Sequence, residues 1–396
     1  MIKDNNIVQK NFVLSNSLVL IMAAASGITV ANLYYIQPLL GDIARAFHVL
    51  QGSIGAAAML TQVGYALGMF FFLPLGDIKE RRSLITLMLY FTAAALIIMA
   101  VSFNVKMIFI ASFAIGFTSI VPQLIVPFAA QLAKPDERGK VIGNVMSGLL
   151  IGILVSRTFS GFIGANFGWR TVYKAAAVMM FLLAIVLKKL LPVSPANSSI
   201  KYSKLISSLW QLIKSEKVLR ETSLIGAMMF ATFSVFWTSL IFLLESPIYN
   251  LGTETAGLFG LVGITGAVAA TFVGRIADKK SPKFTVAVAI CISTLSYICF
   301  WTFGFKMLGL IIGVILLDIG VQSAQISNQA IIYALNPEAR NRLNTVYMVS
   351  YFIGGASGSI LGSYAWQHFG WSGVCVVGLL FQAIAIMTCL YEKVNN

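Results

Sequence analysis

About twelve stretches of this chain are each roughly 20 residues long and predominantly apolar, the length a helix needs to cross a bilayer. Together they use nearly all of the 396 residues, so no separate soluble domain has room to exist. Composition agrees with that count. Hydrophobic residues make up 58% of the chain and charged residues 11%, with mean hydropathy +0.86. A soluble domain carries roughly 25% charged residues and could not hide this much apolar surface. The expected fold class is an all-α membrane protein with twelve transmembrane helices.

Spans are expected at roughly 17–40, 51–75, 83–103, 107–131, 141–164 and 170–191, and then at 221–246, 254–275, 284–304, 307–332, 343–366 and 371–391. Between the sets lies a polar stretch with Pro192, Pro195 and several Ser and Asn residues, a natural boundary. This divides the chain into an N-terminal half (1–191), a linker (192–220) and a C-terminal half (221–396). Within the linker, Lys201 to Arg220 alternates Lys with Leu205, Leu209, Trp210, Leu212 and Ile213. That pattern fits either an amphipathic helix lying on an anionic leaflet or a solvated connector.

The formal charge of +14 does not point to nucleic acid, because the Lys and Arg residues sit in short runs between apolar stretches. They concentrate in alternate loops: Lys79, Arg81 and Arg82; Lys134, Arg138 and Lys140; the linker; Arg275, Lys279, Lys280 and Lys283; Arg340 and Arg342. The opposite loops hold scattered charges such as Asp42, Arg45, Lys106 and Glu254. This asymmetry places both termini in the cytoplasm. The polar segment Met1 to Lys10 leads into the first span with no small-residue cleavage site, so no removed signal peptide is expected. The four cysteines, Cys291, Cys299, Cys375 and Cys389, lie in apolar spans without metal-like spacing and are expected to be free thiols.

The halves repeat each other at an offset of about 202 residues. Pro135-Asp-Glu-Arg138-Gly-Lys140 matches Pro337-Glu-Ala-Arg340-Asn-Arg342, Phe167-Gly168-Trp169 matches Phe369-Gly370-Trp371, and Gly152 matches Gly354. A parallel repeat of two six-helix halves puts a pseudo-twofold axis along the membrane normal and a substrate site between the halves. A carrier is the expected consequence.

These features resemble the major facilitator superfamily over essentially the whole chain. The family's loop motif after the second span is matched in part by Gly76-Asp77-Ile78-Lys79-Glu80-Arg81-Arg82, and its second copy by Gly274-Arg275-Ile276-Ala277-Asp278-Lys279-Lys280. The resemblance implies that Asp77, Arg81, Asp278 and Lys279 form a cytoplasmic gate, with plain charge anchoring as the alternative for the basic residues. The run Asn32-Leu33-Tyr34-Tyr35-Ile36-Gln37-Pro38 and the Glu137-Arg138-Gly139-Lys140 entry to the fifth span look like the drug:proton antiporter branch. Ser156-Arg157-Thr158-Phe159-Ser160-Gly161 resembles a subgroup of bacterial efflux carriers. The chain departs from that branch where Ser156-Arg157 replaces the usual Gly-Pro. Ser112 and Ile115-Gly116 also stand where the fourth span usually carries an Arg linked to proton coupling. The resemblance thus implies a bacterial inner-membrane exporter exchanging a small organic solute for protons, expected as a monomer and without cofactor or metal.

Ionisable residues inside a span cost about 2.5–3.5 kcal/mol each on the lenient scale and are functional or paired by default. Two qualify clearly, Arg157 in the fifth span and Asp318 near the middle of the tenth. Asp318 is the expected proton carrier and Arg157 its counter-charge or an anion-binding residue, although Arg157 lies about 10 Å from its helix end and within snorkelling reach. Burial and a neighbouring guanidinium act on a carboxylate in opposite senses, so relative movement of the halves would change its proton affinity. Beyond Asp318, the steps to Gln322, Gln325 and Gln329 put these residues on one helix face, and Gln123 aligns with Gln325 at the repeat offset. With Asn32 and Tyr35 they are the expected cavity lining, against the alternative of ordinary interhelical contacts. Glu245, near the outer end of the seventh span, is a candidate second titrating group, but its position favours loop exposure.

No nucleotide-binding Gly-Lys-Ser/Thr loop or nucleophile elbow is present, which argues against an ATP-driven pump. A facilitator or importer of a small solute, with anions among the candidates, is the nearest alternative. A membrane-embedded enzyme or receptor is a remote one, because clustered ionisable residues and an output domain are both missing.

Overall fold

The computed structural model describes residues 14–134, 137–194, 202–263, 281–336 and 339–394. The N-terminal half comprises α1 (Asn16–Ala31), α2 (Ile36–Ala46), α3 (Gln51–Phe72), α4 (Leu75–Ile78), α5 (Arg81–Ala100), α6 (Val105–Thr118), α7 (Val121–Leu132), α8 (Arg138–Phe167) and α9 (Trp169–Leu190). The linker helix α10 (Tyr202–Ser215) follows. The C-terminal half comprises α11 (Lys217–Leu244), α12 (253–263 of the described residues), α13 (Pro282–Phe303), α14 (Met307–Leu335) and α15 (Arg340–Val394). Because α15 carries two spans joined at Gly370, the described helices follow the order of the twelve-span, two-half architecture that hydropathy requires. The far part of the eighth span, with Asp278 and Lys279, lies outside the described residues.

Local chemistry fixes the ends of these helices. Ser15, Asn104 and Ser281 cap α1, α6 and α13 by accepting from the backbone N–H groups of Leu18, Met107 and Phe284, which satisfies donors that a helix start leaves unpaired. The repeated Phe-Gly-Trp triplet has a structural meaning. Gly168 (φ +81°) and Gly370 (φ +59°) occupy left-handed conformations that let one membrane helix turn directly into the next, at a cost no side chain has to bear. The Trp after each glycine is buried, and the indole of Trp371 donates to the Phe300 carbonyl at 2.9 Å.

Among the described residues, two spans are interrupted rather than continuous. The first breaks at Asn32–Tyr35, where backbone N–H groups reach back three residues and Pro38 follows. The fourth breaks at Ser119–Ile120, ahead of Pro122. Proline removes a helix hydrogen bond and crowds the preceding turn. Between the halves, α11 is buried nearly all round, so it forms the centre of the bundle. Outward-facing apolar side chains such as Leu20, Ile110, Phe162 and Leu380 are exposed and supply the lipid-facing surface.

Glu80 ties the second loop to the domain boundary. Its carboxylate accepts from the N–H groups of Arg82 (3.0 Å) and Ser83 (2.8 Å), from the Ser83 hydroxyl, and from the N–H of Ser194 (3.1 Å). Partial burial pushes its pKa up, but these donors outweigh burial and hold it below the ordinary glutamate value. A depressed folded-state pKa stabilises above the unfolded value and loses that contribution as pH falls through the folded value. Glu80→Ala should therefore cost about 1 kcal/mol, the usual worth of an N-cap. Thermal unfolding in detergent at neutral pH should show the deficit, and the gap between variant and parent should close below the glutamate range.

Candidate functional site: a central cavity closed at one end

A cavity of about 720 Å³ lies between the halves. Its lining runs from Tyr34 and Phe233 in the middle of the bundle to Arg138, Arg340 and Arg342 of the basic loops. Gln123, Gln322, Gln325 and Gln329 all line it. The three from α14 share a face because that helix runs uninterrupted from Met307 to Leu335. Gln325 accepts from the Tyr351 hydroxyl at 3.3 Å, and the Tyr351 ring stacks on Phe230 at 4.1 Å between centroids. Tyr65 packs against Phe352 at 4.5 Å across the halves. The wall therefore combines aromatic faces with carboxamides.

Asn32 and Tyr35 sit elsewhere. Asn32 is buried and donates to the Met180 sulfur, while Tyr35 packs on Phe159 in the groove between α1 and α8. An i, i+3 projection from Asn32 presumes a continuous helix, and the break at Asn32–Tyr35 rotates the register. Tyr34 faces the cavity in their place.

Arg157 and Asp318 lie behind the cavity's inner end and are only 1% and 2% exposed, so snorkelling does not describe Arg157. Its guanidinium carbon sits among aromatic rings: 4.0 Å from the Trp237 centroid, 4.9 Å from Tyr34 and 5.3 Å from Phe233. Nε donates to Gln37 Oε1 at 2.8 Å and Nη1 to the Ile153 carbonyl at 3.4 Å, while Nη2 has no partner among the described residues. Asp318 Oδ2 is likewise buried without a partner. A Cβ on Gly263 of α12 would lie 2.7 Å from it, so that glycine lets α12 close over the carboxylate. The two charges sense each other electrostatically without forming an ion-pair contact. Opposite charges buried in neighbouring halves, each with an unsatisfied atom, are a costly arrangement.

The face opposite the basic loops is sealed. Arg45 pairs with Asp42 of its own helix at 2.5 Å and crosses to Glu245 at 2.8 Å. The Thr253 hydroxyl donates to Asp42 at 2.7 Å, Gln51 donates to Glu245 at 3.2 Å, and Trp366 donates to Gln51 at 3.2 Å. Each of these last three bonds also joins one half to the other. Glu245, expected to be loop-exposed, has a side chain only 8% exposed, because Gly41 of α2 packs directly against its carboxylate. Deeper in, Gln62 of α3 donates to the Ser359 hydroxyl at 2.9 Å and accepts from Ser234 at 3.4 Å, a second polar tie across the halves. Neither seal residue Glu245 nor Gln62 stands out in the sequence, since one resembles a loop charge and the other a lone polar residue in an apolar span.

At the open end, Arg81 is buried. It donates to the Gly76 carbonyl at 2.9 Å and to Gln131 at 2.7 Å, so it clamps α4 and α7 within its own half beside the cavity. Asp77 lies on α4. Arg82 reaches the Leu191 carbonyl at 3.4 Å. The linker helix turns its apolar face inward: Leu205 and Leu209 are buried and line the cavity mouth, while Trp210 and Lys214 face outward. Its first residue, Tyr202, donates to the Phe71 carbonyl of α3 at 3.0 Å.

Comparison with known proteins adds the following. A family model described as Major Facilitator Superfamily matches residues 19–334. The chain is 42% identical over 377 residues to a putative uncharacterized transporter, YgaY, of Escherichia coli K12, covering 95% of this chain and 96% of that protein. It is 32% identical to the probable transporter SCO4007 of Streptomyces coelicolor, covering 90% and 83%. It is 24% identical to a probable sugar efflux transporter of Mannheimia succiniciproducens, covering 93% and 92%. Among solved structures, a mutant of the peptide transporter POT superposes with a TM-score of 0.81 at 12% identity, covering 98% of both chains, a likeness of fold alone.

Proposed function

Since the chain belongs to the Major Facilitator Superfamily, a family of multi-pass membrane transporters rather than enzymes, we propose that it works by proton-coupled efflux of a small organic solute through alternating access. The observation that carries this reading is the placement of Asp318 and Arg157. They are the two clear intramembrane charges, they belong to different halves, and each keeps an unsatisfied atom in the core. Rocking one half against the other changes what each group faces, and that is the requirement for taking up a proton on one side and releasing it on the other.

Positive-inside bias puts the basic loops and both termini in the cytoplasm of a bacterial inner membrane. The cavity then opens inward, and the Arg45–Glu245 seal closes the periplasmic end. Solute enters from the cytoplasm and meets Gln123, Gln322, Gln325 and the rings of Tyr34, Phe230 and Tyr351. Asp77 and Arg81, with Asp278 and Lys279, close that end in the opposite state. The sugar-efflux label of one relative is compatible with carboxamides flanked by aromatic faces. An importer or facilitator of an anion is the second reading, favoured by the free Nη2 of Arg157.

Uptake of labelled solutes into everted vesicles, with and without an imposed pH gradient, tests the proposal. Accumulation that needs the gradient and collapses when it is dissipated is expected. Equilibration indifferent to the gradient would overturn proton coupling, and accumulation only in right-side-out vesicles would overturn efflux.

A further inference from the structure

One short helix touches both the buried charges and the seal. α2 is 11 residues long, or about 16 Å at 1.5 Å per residue. Near its inner end Gln37, itself 3% exposed, accepts from Arg157 Nε at 2.8 Å. At its outer end Gly41, Asp42 and Arg45 meet Glu245 and Thr253 of the other half. A tight turn at Asn32–Tyr35, with backbone bonds reaching back three residues, sets α2 off from α1 within the first span.

We infer that Gln37 is a positioning residue that transmits the state of the Arg157–Asp318 pair to the outer seal through α2. This rests on the reading of Asp318 as the coupling group. Arg157 is faced by Gln37 from α2, by Tyr34 in the turn before it and by Phe233 and Trp237 of α11, and it interacts electrostatically with Asp318 of α14. Asp318 packs against Gly263 of α12 and interacts electrostatically with Tyr351 of α15. A charged Asp318 draws the guanidinium toward α14. A neutral one leaves Gln37 and the Ile153 carbonyl as its fixed polar partners, so the pull on α2 differs between the two states. A conformational equilibrium shifts only through such a differential contact. The bland alternative, that Gln37 merely satisfies one N–H of a buried Arg, predicts no effect at the seal.

The test is a double-mutant cycle read at the outer face. Spin labels are placed at Ala46→Cys and Glu254→Cys, both exposed positions flanking the seal, after the four native cysteines are replaced by Ser. The fraction of molecules with separated outer ends is then measured in nanodiscs at one pH. Asp318→Asn is expected to shift that fraction by about tenfold, and by less than about twofold when Gln37→Met, which keeps the bulk but removes the acceptor, is also present. Gln37→Glu, which keeps an acceptor, should restore the shift. An equal shift with and without Q37M overturns the role of Gln37 and leaves Asp318 intact. No shift from D318N alone overturns the reading of Asp318 and this inference with it. If Q37M fails to insert, Gln37→Asn, whose amide is one methylene shorter, serves the same comparison.

Discussion

Replacing Asp318 by Asn should abolish solute accumulation driven by a pH gradient while leaving the protein folded in the membrane. One proton exchanged per solute converts each pH unit, about 1.36 kcal/mol, into roughly a tenfold solute gradient. With the membrane potential clamped, vesicles bearing the parent chain should approach that slope, and the variant should show about none of it. Asn keeps the size of the side chain and can still hydrogen-bond, so the packing against Gly263 need not change. Downhill flux should survive, because the cavity-lining carboxamides and rings are untouched. A variant that still accumulates solute along the pH gradient would remove Asp318 from the coupling scheme.

The second large effect is expected at Arg157. Lys preserves the charge but not the planar fork that lies on Trp237 while donating sideways to Gln37, so the exchange is not conservative at this site. Arg157→Lys should lower coupled flux by at least about tenfold. Arg157→Met goes further and leaves Asp318 buried beside no cation, at a cost on the order of 3 kcal/mol. That cost should appear as a lower thermal midpoint in detergent, and adding D318N to R157M should recover much of it. If the double variant were as unstable as R157M, the destabilisation would come from lost aromatic packing rather than from the stranded carboxylate.

Which parts of this arrangement were legible beforehand follows from what sequence patterns encode. Span positions were readable to within a few residues because hydropathy reports the cost of exposing backbone and side chains to lipid. Gln322, Gln325 and Gln329 could be placed together because α14 is unbroken, and Gln123 could be added through the repeat. The same projection missed Tyr34, because nothing in Asn32–Tyr35 announces a turn and Pro38 lies several residues beyond it. Glu245 was misplaced for a different reason: a carboxylate at a helix end looks solvated until its partner, Arg45, arrives from a segment about 200 residues earlier. Long-range pairing of that kind leaves no local trace. Glu80 was equally silent, since a capping role and a charge in a basic loop are written with the same residue.

The one-sided cavity also has a pharmacological consequence. In this conformation, among the described residues, the carboxamide and aromatic surface is continuous with the basic-loop face, and the far face is tied across the halves by the Asp42–Arg45–Glu245 cluster. In the proposed orientation, with the basic loops in the cytoplasm, a competitive blocker of this state has to permeate the bilayer or be made inside the cell. A large impermeant binder supplied from outside can act only on the seal, as a clamp on the cycle rather than as a rival for the solute.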